Sequence, residues 1–277
     1  MSEKILTTKI KLPEFVIEKK KVGKNQIVQL AQHEEVIGVE VYKDQGTTFL
    51  LKDRIGRKFF LKMPNSKVKI ENENILKVKD ISAITDLNEN SKLVWENNLF
   101  EDVSKNPEDI VKSWNNVFHF REEKEASKGL RKPQLGGIHA ISSHWSVKNS
   151  CGTLVMPTGT GNTETMISAL LYEQCGRVLI VVPSKVLRHQ MFKKFLTLGC
   201  LRNIGVIDKN TLNPRVILIE HGIKRADVLA NLVDESNVII ATSYALNNFP
   251  DEVKEKLAEK CTHLFIDEAH HVPAKTW

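Results

Sequence analysis

Four runs of mainly apolar residues in the second half of the chain constrain its fold more than any other feature. They cover residues 178–182, 216–219, 238–241 and 263–267, and most of their members are Val, Ile or Leu. Segments with helical patterns, among them residues 224–233 and 251–260, lie between the runs. Strands that are apolar on both faces and joined by crossover helices form a parallel sheet with helices on both sides. The sequence therefore predicts an α/β fold whose ligand-binding residues gather at the carboxyl ends of the strands.

A glycine-rich loop precedes these runs and has the composition of a phosphate-binding loop. Its sequence is Met156-Pro157-Thr158-Gly159-Thr160-Gly161-Asn162-Thr163. Residues 153–156 are predicted as a strand that enters the loop, and residues 163–172 as a helix that leaves it. In a P-loop the backbone N–H groups cradle the phosphates, a Lys meets the β- and γ-phosphates, and the next Ser or Thr binds Mg²⁺. Asn162 stands at the Lys position here, and a Thr-Gly-Thr-Gly turn on its own is also compatible with a plain strand-to-helix connection.

An acidic pair follows the last apolar run. The residues are Asp267-Glu268-Ala269-His270, and an Asp at this point of P-loop proteins holds Mg²⁺. Such a pair also occurs simply as a helix cap. The glycine-rich loop and the acidic pair occur in the expected order, each at a strand end of one predicted sheet. This combination favours a functional interpretation of both.

Residues 5–100 show a different pattern, with short β-branched and aromatic runs. Residues 36–42, 47–52 and 57–62 are separated by four-residue turns and predict a β-meander. Residues 68–70 and 75–78 predict one more hairpin, so that a small barrel or sandwich is expected. The stretch 19–24 contains four Lys, which could bind nucleic acid or could be the solvated, protected edge of a sheet.

A helix start separates the two patterns. Asn106-Pro107-Glu108-Asp109 has the order of a cap, a Pro and first-turn acids, and apolar residues recur at helical spacing up to residue 118. The charged stretch 121–125 and Gly129 mark the end of this region. We therefore predict a β-rich accessory domain over residues 1–105, a helical linker over 106–129 and an α/β domain over 130–277.

Composition narrows the function classes only slightly. The formal net charge of +6 weakly favours an anionic partner. The four Cys contain no Cys-x-x-Cys pair, which excludes the usual zinc spacings and a disulfide framework, and they are expected to be reduced, buried thiols. No signal peptide is expected from the Lys-rich start of the sequence, and the longest apolar runs are too short to cross a bilayer. A cytoplasmic protein without a membrane partner is the expectation.

Together, the motifs resemble superfamily 2 helicases of the DEAD/DEAH kind, and in particular restriction or defence types. The resemblance covers residues 130–277, which correspond to the first RecA-like lobe. Residues 130–141 resemble the upstream Gln motif, residues 182–190 resemble motif Ia, and residues 241–244 resemble a later Thr/Ser motif. The resemblance implies a P-loop NTPase fold, a RecA-like parallel sheet with flanking helices, and nucleic-acid-dependent hydrolysis of ATP with Mg²⁺.

The resemblance also implies residue roles. The residues implied to bind ATP are Gln134, Thr158, Gly159, Thr160, Gly161, Asn162 and Thr163. Those implied to contact nucleic acid, with DNA favoured over RNA, are Pro183, Ser184, Lys185, Arg188, Thr242 and Ser243. Thr163 and Asp267 would hold Mg²⁺. Asp267, Glu268 and His270 are the implied catalytic residues. Among them Glu268 would polarise the attacking water, and His270 would link the nucleotide site to the rest of the motor. Ser and Thr at such positions also simply cap helices.

Two departures from the family pattern bear on activity. Asn162 cannot place a positive charge between the phosphates, and losing one such contact typically costs about 10²–10³ in rate. An engineered change, a sequence error and a natural loss are all compatible with Asn162. The chain ends at residue 277, so the second RecA-like lobe with its arginine finger is expected to be missing.

Three functions remain open from the sequence. The first is the ATP-binding lobe of a helicase, impaired in catalysis. The second is a non-catalytic module that binds nucleic acid or nucleotide. The third, a P-loop kinase or transporter ATPase, is disfavoured by the Asp-Glu-Ala-His motif.

Overall fold

The computed structural model describes residues 3–14, 16–31, 35–97, 99, 105–147, 150–157 and 159–269, which form a mixed α/β chain. The strands are β1 (Lys4–Leu12), β2 (Val16–Val22), β3 (Asn25–Leu30), β4 (Glu35–Lys43), β5 (Thr48–Asp53), β6 (Lys58–Lys62), β7 (Ile75–Val78), β8 (Leu93–Asn97), β9 (Val178–Val182), β10 (Val216–Leu218), β11 (Val238–Thr242) and β12 (His263–Ile266). The helices are α1 (Pro107–Ser113), α2 (Lys132–Val147), α3 (Asn162–Tyr172), α4 (Lys185–Leu196), α5 (Ala226–Asp234), α6 (Ser243–Asn247) and α7 (Asp251–Lys260). Among the described helices, none is long and apolar enough to cross a lipid bilayer.

The chain divides into two compact units. The first unit comprises residues 1–17 and 33–103, and the second comprises residues 18–32 and 104–277. The predicted boundaries differ from this division, because the second unit includes the predicted linker over 106–129 and resumes at residue 104. Residues 18–32, which the sequence assigns to the β-rich domain over 1–105, lie in the second unit.

The first unit contains one six-stranded sheet in the order β1-β4-β5-β6-β7-β8. Strands β4, β5 and β6 pair antiparallel in sequence order, as the meander predicts. The predicted hairpin of residues 68–70 with 75–78 is wrong, because β7 pairs parallel to β6 and antiparallel to β8. Three of the four β7 residues are buried, as suits a strand inside the sheet, whereas none of residues 68–70 is buried or belongs to a strand. Pairing within the described residues thus gives one sheet in this unit, not two packed sheets.

The second unit is built on the sheet that the apolar runs predict. Its strand order is β12-β9-β11-β10-β3-β2, and β9, β10, β11 and β12 run parallel. Alternate residues of these strands enter two different cores. Val178, Ile180 and Ile240 pack with α3 and α4, whereas Ile239 and Ala241 pack with α5, α6 and α7. Helices therefore cover both faces of the sheet, which explains why the strands are apolar throughout.

Strand β3 extends the second unit's sheet, and four of its six residues are buried there. It pairs antiparallel to β10, with Ile27 opposite Ile217. The Asn25 side chain accepts hydrogen bonds from the backbone N–H groups of Glu220 and His221 at 2.8 and 3.0 Å. Preceding β3, Glu18 pairs with the largely buried Arg215 at 3.0 Å. Residues that the sequence assigns to the β-rich domain are thus held by partners 195 to 197 positions away.

Helix α1 belongs to the second unit's core. Asn106 caps it as predicted, with its side-chain oxygen accepting a hydrogen bond from the Asp109 N–H at 2.8 Å. The helix ends at Ser113, earlier than the pattern up to residue 118 predicts, and Asn116 adopts a left-handed φ of 59°. Ile110 and Trp114 are 0% and 1% exposed in the same core as α3.

Two further expectations are wrong. Residues 153–156 do not form a strand, and Val155 is 86% exposed. A four-residue apolar run is too short for its period to separate a strand from an extended connection. Cys151 and Cys200 are exposed, not buried, whereas Cys175 is buried and its pKa is raised by that burial to about 12.

Candidate functional site

A cavity of about 500 Å³ lies in the second unit where several predicted motifs meet. Its walls come from the start of α2, the glycine-rich loop and α3, the last turn of α4, and the residues after β12. The predicted site residues among its walls are Gln134, Gly159, Gly161, Asn162, Thr163, Asp267 and Glu268. Residues separated by more than 130 positions in the sequence therefore share one cavity. Thr158 and His270 lie outside the described residues.

The glycine-rich loop turns into α3 through two left-handed glycines. Gly159 has a φ of 79° and Gly161, the cap residue of α3, a φ of 96°. Thr160 closes the turn, with its hydroxyl donating to the Pro157 carbonyl at 2.6 Å. The φ of Gly161 favours glycine, and a Cβ there would also displace Gln134 Nε2, which lies 2.2 Å from its position. The free N–H groups at the start of α3 face this turn and suit an anion such as phosphate.

Gln134 is buried against the glycine-rich loop. Its side-chain oxygen accepts a hydrogen bond from the Arg131 N–H at 2.8 Å, and its Nε2 donates to the Gly161 carbonyl at 3.4 Å. The Arg131 guanidinium in turn donates to the Gly159 carbonyl at 2.9 Å. The amide of Gln134 thus fixes the loop relative to α2. Arg131 is not among the predicted site residues, although it is a basic residue only three positions before Gln134.

Asn162 begins α3 and brings no charge to the cavity. Its Oδ1 is buried and has no hydrogen-bond partner among the described residues. A second residue that sequence analysis missed is Lys194 of α4, which lines the same cavity. Its Nζ lies 2.8 Å from Glu164 Oε1, in the first turn of α3. Only the packing of α4 beside α3 brings Lys194 here, so no sequence signal marks it.

The acidic pair lies at the carboxyl end of β12. The Asp267 N–H donates to the Val181 carbonyl at 2.9 Å, which continues the pairing with β9, and the residue is 7% exposed. Burial and the neighbouring Glu268 raise the pKa of the Asp267 carboxyl, while Lys194 acts in the opposite direction. Glu268 is exposed and has a left-handed φ of 53°, which is unusual for a residue with a side chain.

The residues present fit a magnesium ion that is completed by phosphates. No group of three or more His, Cys, Asp or Glu suited to a metal occurs among the described residues. Mg²⁺ is usually held by one or two protein ligands together with substrate phosphates and waters, so a full protein cage is not needed. Thr163 and Asp267 both line the cavity and supply the oxygen ligands that Mg²⁺ prefers. The buried Oδ1 of Asn162 and the glycine turn are not counted among the Mg²⁺ ligands. The remaining coordination positions of the ion are therefore left to a bound ligand.

Asp267→Asn is expected to raise the thermal stability of the free protein at neutral pH. The pKa of Asp267 in the folded state lies above its ordinary value, so its charge opposes folding above that pKa and has no effect below the ordinary pKa. Thermal unfolding followed by circular dichroism in metal-free buffer measures the effect. The gain should be present at pH 7.5 and should shrink as the pH falls toward 4. A variant less stable than the parent at pH 7.5 would contradict this account.

The residues predicted to contact nucleic acid gather at one edge of the sheet but are unequally accessible. Strands β9 and β11 are parallel neighbours, so their carboxyl ends meet. Ser184 caps α4 by accepting from the Leu187 N–H, and Thr242 caps α6 by accepting from the Ala245 N–H, both at 3.2 Å. Lys185 is exposed, Pro183, Ser184 and Ser243 are half-buried, and Thr242 is buried.

The Arg188 side chain is buried and makes tertiary contacts with the end of β10. It is 3% exposed, its Nη1 donates to the Ile219 carbonyl at 2.9 Å, and its Nη2 lies 3.4 Å from Glu220 Oε1. These bonds tie α4 to the end of β10. The described structure therefore does not present Arg188 to a ligand, in contrast to the role that the resemblance implies.

Comparison with known proteins gives one finding on the family. Residues 127–277 match the family model of the type III restriction enzyme, res subunit, a helicase-type P-loop family. No curated protein and no solved structure matches the chain. The matched residues hold the whole cavity apart from Glu123, together with both motifs that line it. Since the match spans more than half of the chain, the protein belongs to the family of type III restriction enzyme res subunits.

Proposed function

We propose that the chain is the ATP-binding lobe of a nucleic-acid-dependent ATPase of the superfamily 2, DEAD/DEAH helicase kind. The observation that carries this proposal is the meeting of the glycine-rich loop, Gln134 and Asp267 in one cavity. If the glycine-rich loop were only a tight turn and the acidic pair only a helix cap, nothing would require them to line the same cavity. Family membership supports a helicase-like ATP-binding module, and the narrower superfamily assignment rests on the motifs.

In this proposal each part of the cavity has a role toward ATP. The turn at Gly159 and Gly161 and the N-terminus of α3 hold the phosphates, and Gln134 with Arg131 positions the loop. Thr163 and Asp267 hold Mg²⁺, which neutralises charge on the phosphates when bound. Glu268 faces the cavity from an exposed turn and orients the attacking water.

We further propose that nucleic acid, DNA in preference to RNA, binds at the edge formed by the ends of β9 and β11. Ser184, Lys185 and Ser243 offer a helix start, an exposed ammonium and a hydroxyl there. Helix N-termini and such side chains typically contact the nucleic-acid backbone. The net charge of +6 suits a polyanionic partner.

One observation favours an alternative in which nucleotide is bound but hardly hydrolysed. Asn162 is neutral, and its Oδ1 lacks a partner among the described residues. Phosphoryl transfer depends on positioning and on electrostatic stabilisation, so a missing fixed charge affects the rate more than the fold. A non-catalytic nucleotide- and nucleic-acid-binding module is therefore the second candidate.

Equilibrium binding of a fluorescent ATP analogue to the full chain tests the shared part of both candidates. We expect binding that weakens when Mg²⁺ is removed with EDTA. In the Asp267→Asn variant, Mg²⁺ should no longer strengthen binding of the analogue. The affinity of this variant for the analogue should be at least about tenfold lower than that of the parent, as for other charge-assisted contacts. Asp251→Asn, at an exposed position of α7, is the matched control and should bind like the parent. If the folded parent does not bind the analogue at any Mg²⁺ concentration, the proposed function is wrong.

A further inference from the structure

The cavity has a deficit of positive charge for a triphosphate. Its described walls include four carboxylates, namely Glu123, Glu164, Asp267 and Glu268, but only two cationic side chains, namely Arg131 and Lys194. One divalent cation would balance these walls but not a triphosphate as well. Asn162 adds no charge at the position closest to the glycine turn. Any nucleotide bound here therefore needs a cationic side chain that is free to meet it.

Arg131 is already committed to the loop. Its Nη1 donates to the Gly159 carbonyl at 2.9 Å, and its Nε lies 3.8 Å from Glu123. These contacts tie the guanidinium to the backbone of the turn at Gly159. Moving Arg131 to a ligand would release the loop that the ligand needs.

Lys194 is placed differently. Its ammonium forms an ion pair with Glu164, which lies two residues after Asn162. The side chain of Lys194 is 44% exposed, and that of Glu164 is 13% exposed. The other oxygen of Glu164 lies 3.3 Å from the position of a Cβ on Gly161, so one carboxylate separates Lys194 from the glycine turn. Lys194 also acts to lower the pKa of the Asp267 carboxyl and of the Cys200 thiol, both of which burial raises.

The Lys194 side of this ion pair is open to solvent, so the ammonium can exchange its partner. Pairs with a solvated Lys contribute little to stability, because the charge is screened and the long side chain must be ordered. A terminal phosphate carries more charge and more acceptor oxygens than one carboxylate, so it competes well for the ammonium. The four-carbon stem of Lys allows the ammonium to move from Glu164 toward the turn without a change in the backbone.

We propose that Lys194 contacts the terminal phosphates of the bound nucleotide and supplies the positive charge that Asn162 lacks. Glu164 holds Lys194 at the cavity and releases it to the phosphates. The inference rests on the proposed nucleotide-binding function and adds a residue to it. Because the ammonium is carried by a flexible side chain from another helix, it supports affinity more than it supports a fixed transition-state geometry.

The test measures competition for the fluorescent ATP analogue on the full chain in the presence of Mg²⁺. Lys194→Gln should weaken binding of the analogue and of inorganic tripolyphosphate by about ten- to a hundredfold, and should leave competition by adenosine unchanged. Lys194→Arg should keep most of the affinity. Lys193→Gln, at the exposed neighbouring position of α4, is the matched control and should match the parent.

A double-mutant cycle with Asn162→Lys separates this role from general electrostatics. With Lys at position 162, the loss caused by Lys194→Gln should fall to less than about threefold, because the two ammonium groups serve the same phosphates. Equal losses in both backgrounds would overturn the inference. So would parent-like tripolyphosphate binding by Lys194→Gln, even though nucleotide binding itself would stand. Failure of the parent and of Asn162→Lys to bind any nucleotide would instead overturn the proposed function.

Glu164→Gln distinguishes a ligand contact from a structural ion pair. If Lys194 serves the phosphates, removing its carboxylate partner should leave triphosphate affinity equal or tighter. If the pair only joins α3 to α4, Glu164→Gln and Lys194→Gln should lower affinity and the unfolding temperature alike, and the inference is wrong. This variant keeps Lys194, so it also decides the question if Lys194→Gln does not fold.

Discussion

Replacing Asn162 by Lys is expected to raise the rate of ATP hydrolysis by about 10²–10³-fold, the factor by which a single preorganised electrostatic contact usually changes a rate. The new ammonium would start from the first residue of α3, at the glycine turn, where the backbone fixes its position. Lys194 lies one helix away and reaches the cavity through a flexible stem. We therefore expect Asn162→Lys to increase the turnover number more than it tightens binding.

The measurement is steady-state phosphate release by the full chain, with and without single- and double-stranded DNA. Asn162→Met, which has a similar length and no charge, is the matched control and should hydrolyse ATP no faster than the parent. Adding Glu268→Gln to Asn162→Lys should remove the gain and so exclude a contaminating ATPase. A folded, nucleotide-binding Asn162→Lys variant with the parent's rate would favour the non-catalytic binding module.

Truncation of Trp114 to Ala is expected to destabilise the second unit by about 3–5 kcal/mol, as for other buried aromatic side chains. Trp114 is 1% exposed in the core that also holds α3, and its Nε1 donates to the Leu212 carbonyl at 3.0 Å. The predicted linker over residues 106–129 would tolerate such a change if it were only a connection. A core helix would not tolerate it.

Urea denaturation followed by circular dichroism at 222 nm measures this change, because the described α-helices all lie in the second unit. Trp114→Phe keeps most of the ring and loses the hydrogen bond, so its loss should be intermediate. Val147→Ala, at a residue that is 80% exposed, should stay within about 0.5 kcal/mol of the parent. A loss below about 1 kcal/mol for Trp114→Ala would show that α1 is not part of the core.

Much of the second unit could be predicted because its signals are local. Strand β9 has the predicted bounds and β10, β11 and β12 differ from them by single residues, since continuous β-branched runs leave no other regular structure. Helix α7 starts and ends as predicted, with two acids in its first turn. The same reasoning wrongly predicts a strand at residues 153–156. Burial decides between a strand and an extended connection, and these residues are not buried.

The candidate site was predictable only in part. The glycine turn, Gln134 and the acidic pair could be found because each has a short motif with a chemical reason. Arg188 was singled out for its place in a motif, but its guanidinium is bound to the Ile219 carbonyl and is buried. Lys194 could not be found, because its meaning depends on Glu164 and Asn162, which lie on another helix.

The sequence by itself determined the parallel sheet covered on both faces and the presence of a phosphate-binding turn with an uncharged Asn162. These features follow from periodicity, crossover length and residue chemistry, all of which act over a few neighbouring positions. Only the tertiary structure decided that residues 18–32 extend the second unit's sheet and that Lys194 lines the cavity. The physical reason is that strand partners and charge partners are chosen by burial and distance in space, and neither quantity can be read from spacing along the chain.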